Sequence, residues 1–143
     1  MHVDKSIFIR ASPSEVYAWL APHRRPTWDR SLVRATPLEG GRFDLVGRAL
    51  GHRFEAHAEA TRLDNGRAFA WRQVEGDYEE HRGAFTLEPV SEGTLLHLIE
   101  DVDFPYVMPE VVTEEQLRRA VSEGADDALL TLKEMVERGR AAR

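Results

Sequence analysis

Between Leu32 and Phe104 the chain is written in short alternating stretches, broken by turn signals at "EGG" (39–41), Gly51, "DNG" (64–66), "EGD" (75–77) and "SEG" (91–93). This feature constrains the fold more than any other. Turns this closely spaced leave no room for crossover helices, so the stretches are expected to pair as an antiparallel meander. Six strands fit the span.

The flanks add the remaining elements. "HVDKSIFIR" alternates, with Val3, Lys5, Ile7 and Ile9 on one side, and reads as another strand. "SPSEVYAWL" follows with Ser12 as helix cap, Pro13 at the first helical position and Glu15 three residues after the cap, a capping box. That helix is expected to stop near Ala21, before "PHRRP", a turn or second brief helix leading to Trp28. After the meander, Thr113 caps a long amphipathic helix with Gln116 at the matching position. Its apolar residues run from Leu117 to Val136, and Gly139 is expected to end it. At about 25 residues it would be on the order of 38 Å long.

The apolar stripe of this helix is hollow in the middle, where Ala120, Gly124, Ala125 and Ala128 stand. A glycine inside a helix costs about 1 kcal/mol relative to alanine, and small side chains forfeit apolar burial. Two readings are open. Either the small residues let helix and sheet approach closely, or they leave space for something else.

Composition removes several classes of function. The 143 residues are expected to form one domain, 1–143, with a sizeable core and no linker. There is no cysteine, which excludes disulfides, thiolate metal sites and a cysteine nucleophile. A formal charge of −6 argues against nucleic acid and anionic membranes as partners. No apolar run approaches the roughly 20 residues of a membrane span, and "MHVDKSIFIR" lacks the layout of a signal peptide. A soluble, cytoplasmic protein without membrane insertion is expected. Arg24 and Arg25, and Arg138, Arg140 and Arg143 at the end of the last helix, read as solvated surface.

Several stretches carry a family resemblance beyond this pattern. "IFIRASPSEVYAWLAPHRRPTWDRSL" resembles the opening of the START-like, polyketide-cyclase-like superfamily, also called SRPBCC, with a strand leading into "SPxEV" and a downstream tryptophan. "EGGRF", "FAWRQ", "GAFTLEPV" and "GTLLHLIED" are similar to its strands. The resemblance implies an α+β helix-grip fold. A seven-stranded curved antiparallel sheet would wrap around the long C-terminal helix, with two short helices after strand 1 and an internal cavity between sheet and helix. The hollow stripe would then be the roof of a pocket. Members of the superfamily carry apolar ligands, cyclise or dehydrate polyketides, or bind proteins.

Parity along the strands indicates which side chains face that cavity. Phe54, Ala56, Ala58 and Ala60 form one apolar side, followed by Phe69 and Trp71, Phe85 and Leu87, then Leu96, Leu98, Val102 and Phe104. A two-residue turn at Asn65–Gly66 would pair Asp64 with Arg67 and set Ala60 opposite Trp71. A three-residue "EGD" loop would pair Val74 with Tyr78 and set Trp71 opposite His81. A loop at 90–93 would pair Pro89 with Thr94 and set Gly83 opposite Glu100. His81 and Glu100 then become diagonal neighbours on the inner face, where His52 and Gln73 are the other polar groups.

The expected ligand is a small hydrophobic molecule, lipid-like or polyketide-like. It would be held by Phe54, Ala58, Phe69, Trp71, Gln73, Phe85, Leu98 and Val102 from the sheet and by Gly124, Ala125, Ala128 and Leu129 from the helix. His81 and Glu100 would orient its polar end, or satisfy each other at the sheet rim. In a second hypothesis this pair is catalytic, moving protons in a cyclase or dehydratase reaction without cofactor. A third is a cochaperone-like protein-binding domain with a vestigial cavity. Trp19 and Trp28 read as core, and "DFPYVMPEVV" as a lid or an anchor for the helix start. Among the six histidines, His52 and His57 fall on opposite strand faces and no compact ligand cluster appears, so no metal and no other cofactor is expected. Oligomeric state is not legible from these residues.

Overall fold

The computed structural model describes residues 1–105 and 112–141. Strand β1 (His2–Ile9) leads into helix α1 (Pro13–Ala18), and a 3-10 helix spans Pro22–Thr27. The meander follows as β2 (Leu32–Pro37), β3 (Arg42–Ala49), β4 (His52–Asp64), β5 (Ala68–Gly76), β6 (Glu80–Val90) and β7 (Gly93–Asp103), and helix α2 (Glu114–Ala141) closes the chain. The seven strands form one curved antiparallel sheet in the order β1-β7-β6-β5-β4-β3-β2. This is the helix-grip arrangement.

Local chemistry sets the helix starts. The Ser12 side chain accepts from the Glu15 backbone at 3.3 Å and donates to the Glu15 carboxylate at 3.2 Å. At α2 the Thr113 hydroxyl accepts from the Gln116 amide at 3.0 Å, and the Gln116 side chain accepts from the Thr113 amide at 2.9 Å. Each cap ties its hydroxyl residue to the residue three positions on, as a capping box does. Gly139, expected to end the helix, lies inside it: Gly139 has no left-handed φ and α2 continues to Ala141. The first helix stops earlier than Ala21, at Ala18 with Trp19 as C-cap.

The face assignments hold along the central strands, and the register differs from expectation at two hairpins. Asp64 pairs with Ala68, not Arg67, leaving a three-residue turn in which Gly66 takes a left-handed φ of 77°. A bulge between Ala60 and Arg62 then restores Ala60 opposite Trp71. The extra residue in the turn would have put the apolar set on the wrong face, and the bulge undoes that slip. At the next hairpin Trp71 stands opposite Gly83, not His81. The β5–β6 ladder ends at Arg72 and Arg82; beyond it β5 keeps only its β4 partner, with Gln73 opposite Ala58 and Gly76 opposite Ala56. The shift is two residues, so the side chains within the ladder keep their faces. The β6–β7 hairpin has the expected register, with Gly83 opposite Glu100 and His81 opposite Val102.

The two halves of α2 are treated differently by the sheet. Ala128, Leu129, Leu132 and Val136 are buried in the main core with Ile9, Phe85 and Leu96. This half is also tied to β1 and its exit: Lys133 donates to the Phe8 carbonyl at 2.7 Å, and Glu137 accepts from the Arg10 amide at 2.8 Å. Toward the start of the helix, Ala120, Gly124 and Ala125 are only partly buried. Among the described residues, a Cβ placed on Gly124 would meet no atom within 4 Å. The small residues therefore do not serve close helix–sheet approach at this point.

Candidate functional site

The space under the start of α2 is a cleft of about 230 Å³. Ala120, Val121, Gly124, Ala125 and Ala128 form its helix side, and Leu98, Glu100, Val102 and His81 its sheet side. Phe104 and Tyr78 close one flank. Arg25, Trp28 and Asp29 line the cleft from the 3-10 helix and the turn after it, with the exposed Arg30, Ser31, Arg48 and Leu50 and the half-buried Ala49 toward the mouth. The volume lies below the roughly 300–1,000 Å³ of many small-molecule sites, so a ligand enclosed here would be small.

Of the residues expected at the site, His81, Leu98, Glu100, Val102, Gly124, Ala125 and Ala128 come together around this cleft. The others sit behind it. Phe69, Trp71 and Phe85 stack on one another with centroid separations of 6.0 and 5.5 Å and fill the sheet interior. Phe54 packs against Tyr78 and Phe104 at 5.1 and 5.2 Å. Ala58 and Leu129 are core residues. Gln73 donates to the Tyr78 carbonyl at 2.8 Å, and its buried Oε1 has no partner among the described residues. Of the expected lid, Phe104 packs against the core while residues 106–111 lie outside the described residues.

Trp71 is withheld from the cleft by a residue that sequence reasoning places on the surface. Arg25 is 8% exposed, and its guanidinium lies 4.6 Å from the Trp71 ring centroid, 5.4 Å from that of Phe85 and 5.8 Å from that of Trp28. Its Nε donates to Asp29 Oδ2 at 2.9 Å, and its Nη2 to Glu100 Oε2 at 3.0 Å. A guanidinium is buried only with such partners, since an isolated charge in the interior costs several kcal/mol. Burial alone would lower its proton affinity, but the Asp29 and Glu100 carboxylates outweigh that and hold it above its ordinary value. The neighbouring Arg24 does stay outside, over the Trp19 ring at 4.0 Å.

His81 and Glu100 are diagonal neighbours, yet each has another partner. Trp71 Nε1 donates to His81 Nδ1 at 3.3 Å, and the indole reaches that far because it lies over Gly83. A Cβ at Gly83 would stand 2.6 Å from two Trp71 ring carbons. With Nδ1 accepting, the neutral imidazole carries its proton on Nε2. Burial pushes the His81 pKa down from its ordinary value, Glu100 and Asp29 oppose this, and Arg25 reinforces it. The ring is thus a neutral hydrogen-bond donor.

Tyr78, expected as a paired strand residue, instead turns inward. Beyond the end of the β5–β6 ladder the backbone is free to leave the sheet plane, and the Tyr78 ring settles 4.7 Å from the His81 ring. Its hydroxyl occupies the space where a side chain on Gly47 would begin. Burial, aided by the Glu100 charge, raises the Tyr78 pKa well above the usual phenol range, so the hydroxyl stays protonated. The one sequence signal for this position is Gly47, a glycine inside a strand.

The sequence from residue 1 to 137 matches the model of the family described as polyketide cyclase / dehydrase and lipid transport. The chain belongs to that family. Solved structures agree on the fold. TTHA0849 from Thermus thermophilus superposes with a TM-score of 0.80 at 20% identity, covering 95% of this chain and 97% of that one. The Zhui aromatase/cyclase from Streptomyces gives 0.77 at 18% identity, covering 96% and 94%. A START superfamily protein from Mycobacterium smegmatis gives 0.68 at 18% identity, covering 97% and 95%. No curated protein matches the sequence at a significant level. Among the described residues no helix is long and apolar enough to cross a membrane.

Proposed function

We propose that this family member binds a small, mainly apolar molecule in the cleft between the sheet and the first half of α2. The observation that carries this reading is the open space under Gly124, where a helix stripe that should fill the core faces Leu98 and Val102 across a gap. Filling the stripe with larger residues would bury more apolar surface at about 25 cal/mol per Å², so the vacancy has a stability cost that a bound molecule offsets. At the closed end the Glu100 carboxylate and the His81 imidazole are the lining groups suited to orient a polar group of the ligand.

A cyclase-like reaction using His81 and Glu100 draws less support from the geometry. Glu100 is held by Arg25, and His81 has its basic nitrogen engaged by Trp71. For His81 to take a proton as a base at Nδ1, the Trp71 contact would first have to break.

The test is binding of an uncharged fluorescent probe, N-phenyl-α-naphthylamine. Saturable binding is expected for the wild type and loss of it for Gly124→Leu, with the urea unfolding midpoint little changed because the new side chain enters open space. Equal binding by both proteins would place the probe elsewhere and sink the reading.

A further inference from the structure

The closed end of the cleft carries an unbalanced charge. Arg25, Asp29 and His81 are buried there, and Glu100 reaches in from β7 with its side chain 14% exposed. Asp29 is consumed inside the protein: Oδ2 accepts from Arg25 Nε at 2.9 Å, and Oδ1 accepts from the Ser31 amide at 3.0 Å and the Ser31 hydroxyl at 2.6 Å. One guanidinium thus faces two carboxylates, which leaves one negative charge in excess. His81 is neutral and adds nothing. The Arg25 cation, the natural anchor for a ligand carboxylate, is cancelled before any ligand arrives, and its π-face is taken by Trp71.

We propose that Asp29 sets the charge specificity of the cleft: by neutralising Arg25 internally it leaves the Glu100 charge uncompensated toward the ligand, so the cleft rejects carboxylates and admits uncharged molecules. The proposal rests on the reading that the cleft binds a small apolar molecule. Asp29 acts through Arg25 and is a positioning residue, with Glu100 as the group a ligand meets. Repulsion between like charges at this depth is poorly screened, because the pair is largely removed from water. The cations at the mouth do not reverse it. Arg30 is solvated and stands 3.8 Å from Asp127, and Arg48 is exposed with its Nε on the Arg30 carbonyl at 3.1 Å.

Two probes of matched shape test this, β-naphthol and β-naphthoate, titrated at about 1 M salt, where a screening length of roughly 3 Å silences the mouth. The wild type is expected to bind the naphthol at least about tenfold more tightly than the naphthoate. In Asp29→Asn and in Glu100→Gln that ratio should fall to about threefold or less, while Asp29→Glu, which keeps the charge, should retain it even if both affinities drop. A purely structural role for Asp29 would lower both affinities in parallel and leave the ratio unchanged in Asp29→Asn, which overturns the proposal. So does wild-type protein that binds naphthoate as tightly as naphthol, a result that needs no variant to fold. Saturable binding of N-phenyl-α-naphthylamine in that case shows that only the charge assignment has failed. Absence of binding by all three probes removes the cleft reading and this one together.

Discussion

Arg25 Nη2 donates to Glu100 Oε2 at 3.0 Å, joining the 3-10 segment to β7 across 75 residues of chain. With Asp29 on its other side, the guanidinium closes one end of the cleft and covers the Trp71 ring. Most of the site's chemistry follows from this contact. It takes Glu100 away from His81, and it converts an apolar sheet interior into a charged wall.

Removing the cation should therefore be severe. Arg25→Met strands two carboxylates that are largely out of water, and a loss of about 3–5 kcal/mol in unfolding free energy is expected. The triple variant Arg25→Met, Asp29→Asn, Glu100→Gln should recover most of that loss, since no charge is left unpaired. Urea denaturation of the two variants beside the wild type checks the pair of outcomes.

Gly83 is expected to be intolerant of any side chain. A Cβ there would lie 2.6 Å from Trp71 ring carbons and 2.8 Å from the Ile99 carbonyl oxygen. Gly83→Ala should destabilise by about 1–3 kcal/mol, the usual range for overpacking, and should shift Trp71 fluorescence as the indole is displaced from His81. Thermal unfolding followed by tryptophan emission reads both effects.

Gly124 should behave in the opposite way. A methyl group added there would meet no atom of the described residues within 4 Å, so Gly124→Ala adds helix propensity without a clash among them. A gain of up to about 1 kcal/mol is expected in chemical denaturation.

The pH dependence of stability should carry a signature of His81. Burial holds its folded pKa below the ordinary 6.5, so the unfolded chain binds a proton at pH values where the folded one does not. Its contribution is complete above 6.5 and is lost as the pH falls from there through the folded pKa. His81→Gln should flatten this part of the profile. Unfolding free energies of both proteins at several pH values between about 7.5 and 5 give the comparison.

The order of elements, the capping boxes at Ser12 and Thr113, the inward face of the central strands and the hollow stripe of α2 are all legible in the sequence. Each depends on a local period or a spacing of a few residues. Even the misplaced register at Trp71 does no harm to the face assignment: an error of two residues preserves the alternation, and the slip at Asp64 is cancelled by the bulge at Ala60–Arg62.

What only the tertiary structure decided is which polar groups meet. Arg25 sits in a basic, proline-bracketed turn whose local pattern reads as surface, and nothing periodic marks it for burial. Its destination depends on where the 3-10 segment docks over the open end of the sheet. Tyr78 leaves the sheet plane because the β5–β6 ladder ends at Arg72, short of the Val74 pairing that the turn length suggests. Parity tells which side of a sheet a side chain occupies, since that needs only the position along one strand. Partnership needs the absolute register and the placement of irregular segments, and those are set by packing across the whole fold.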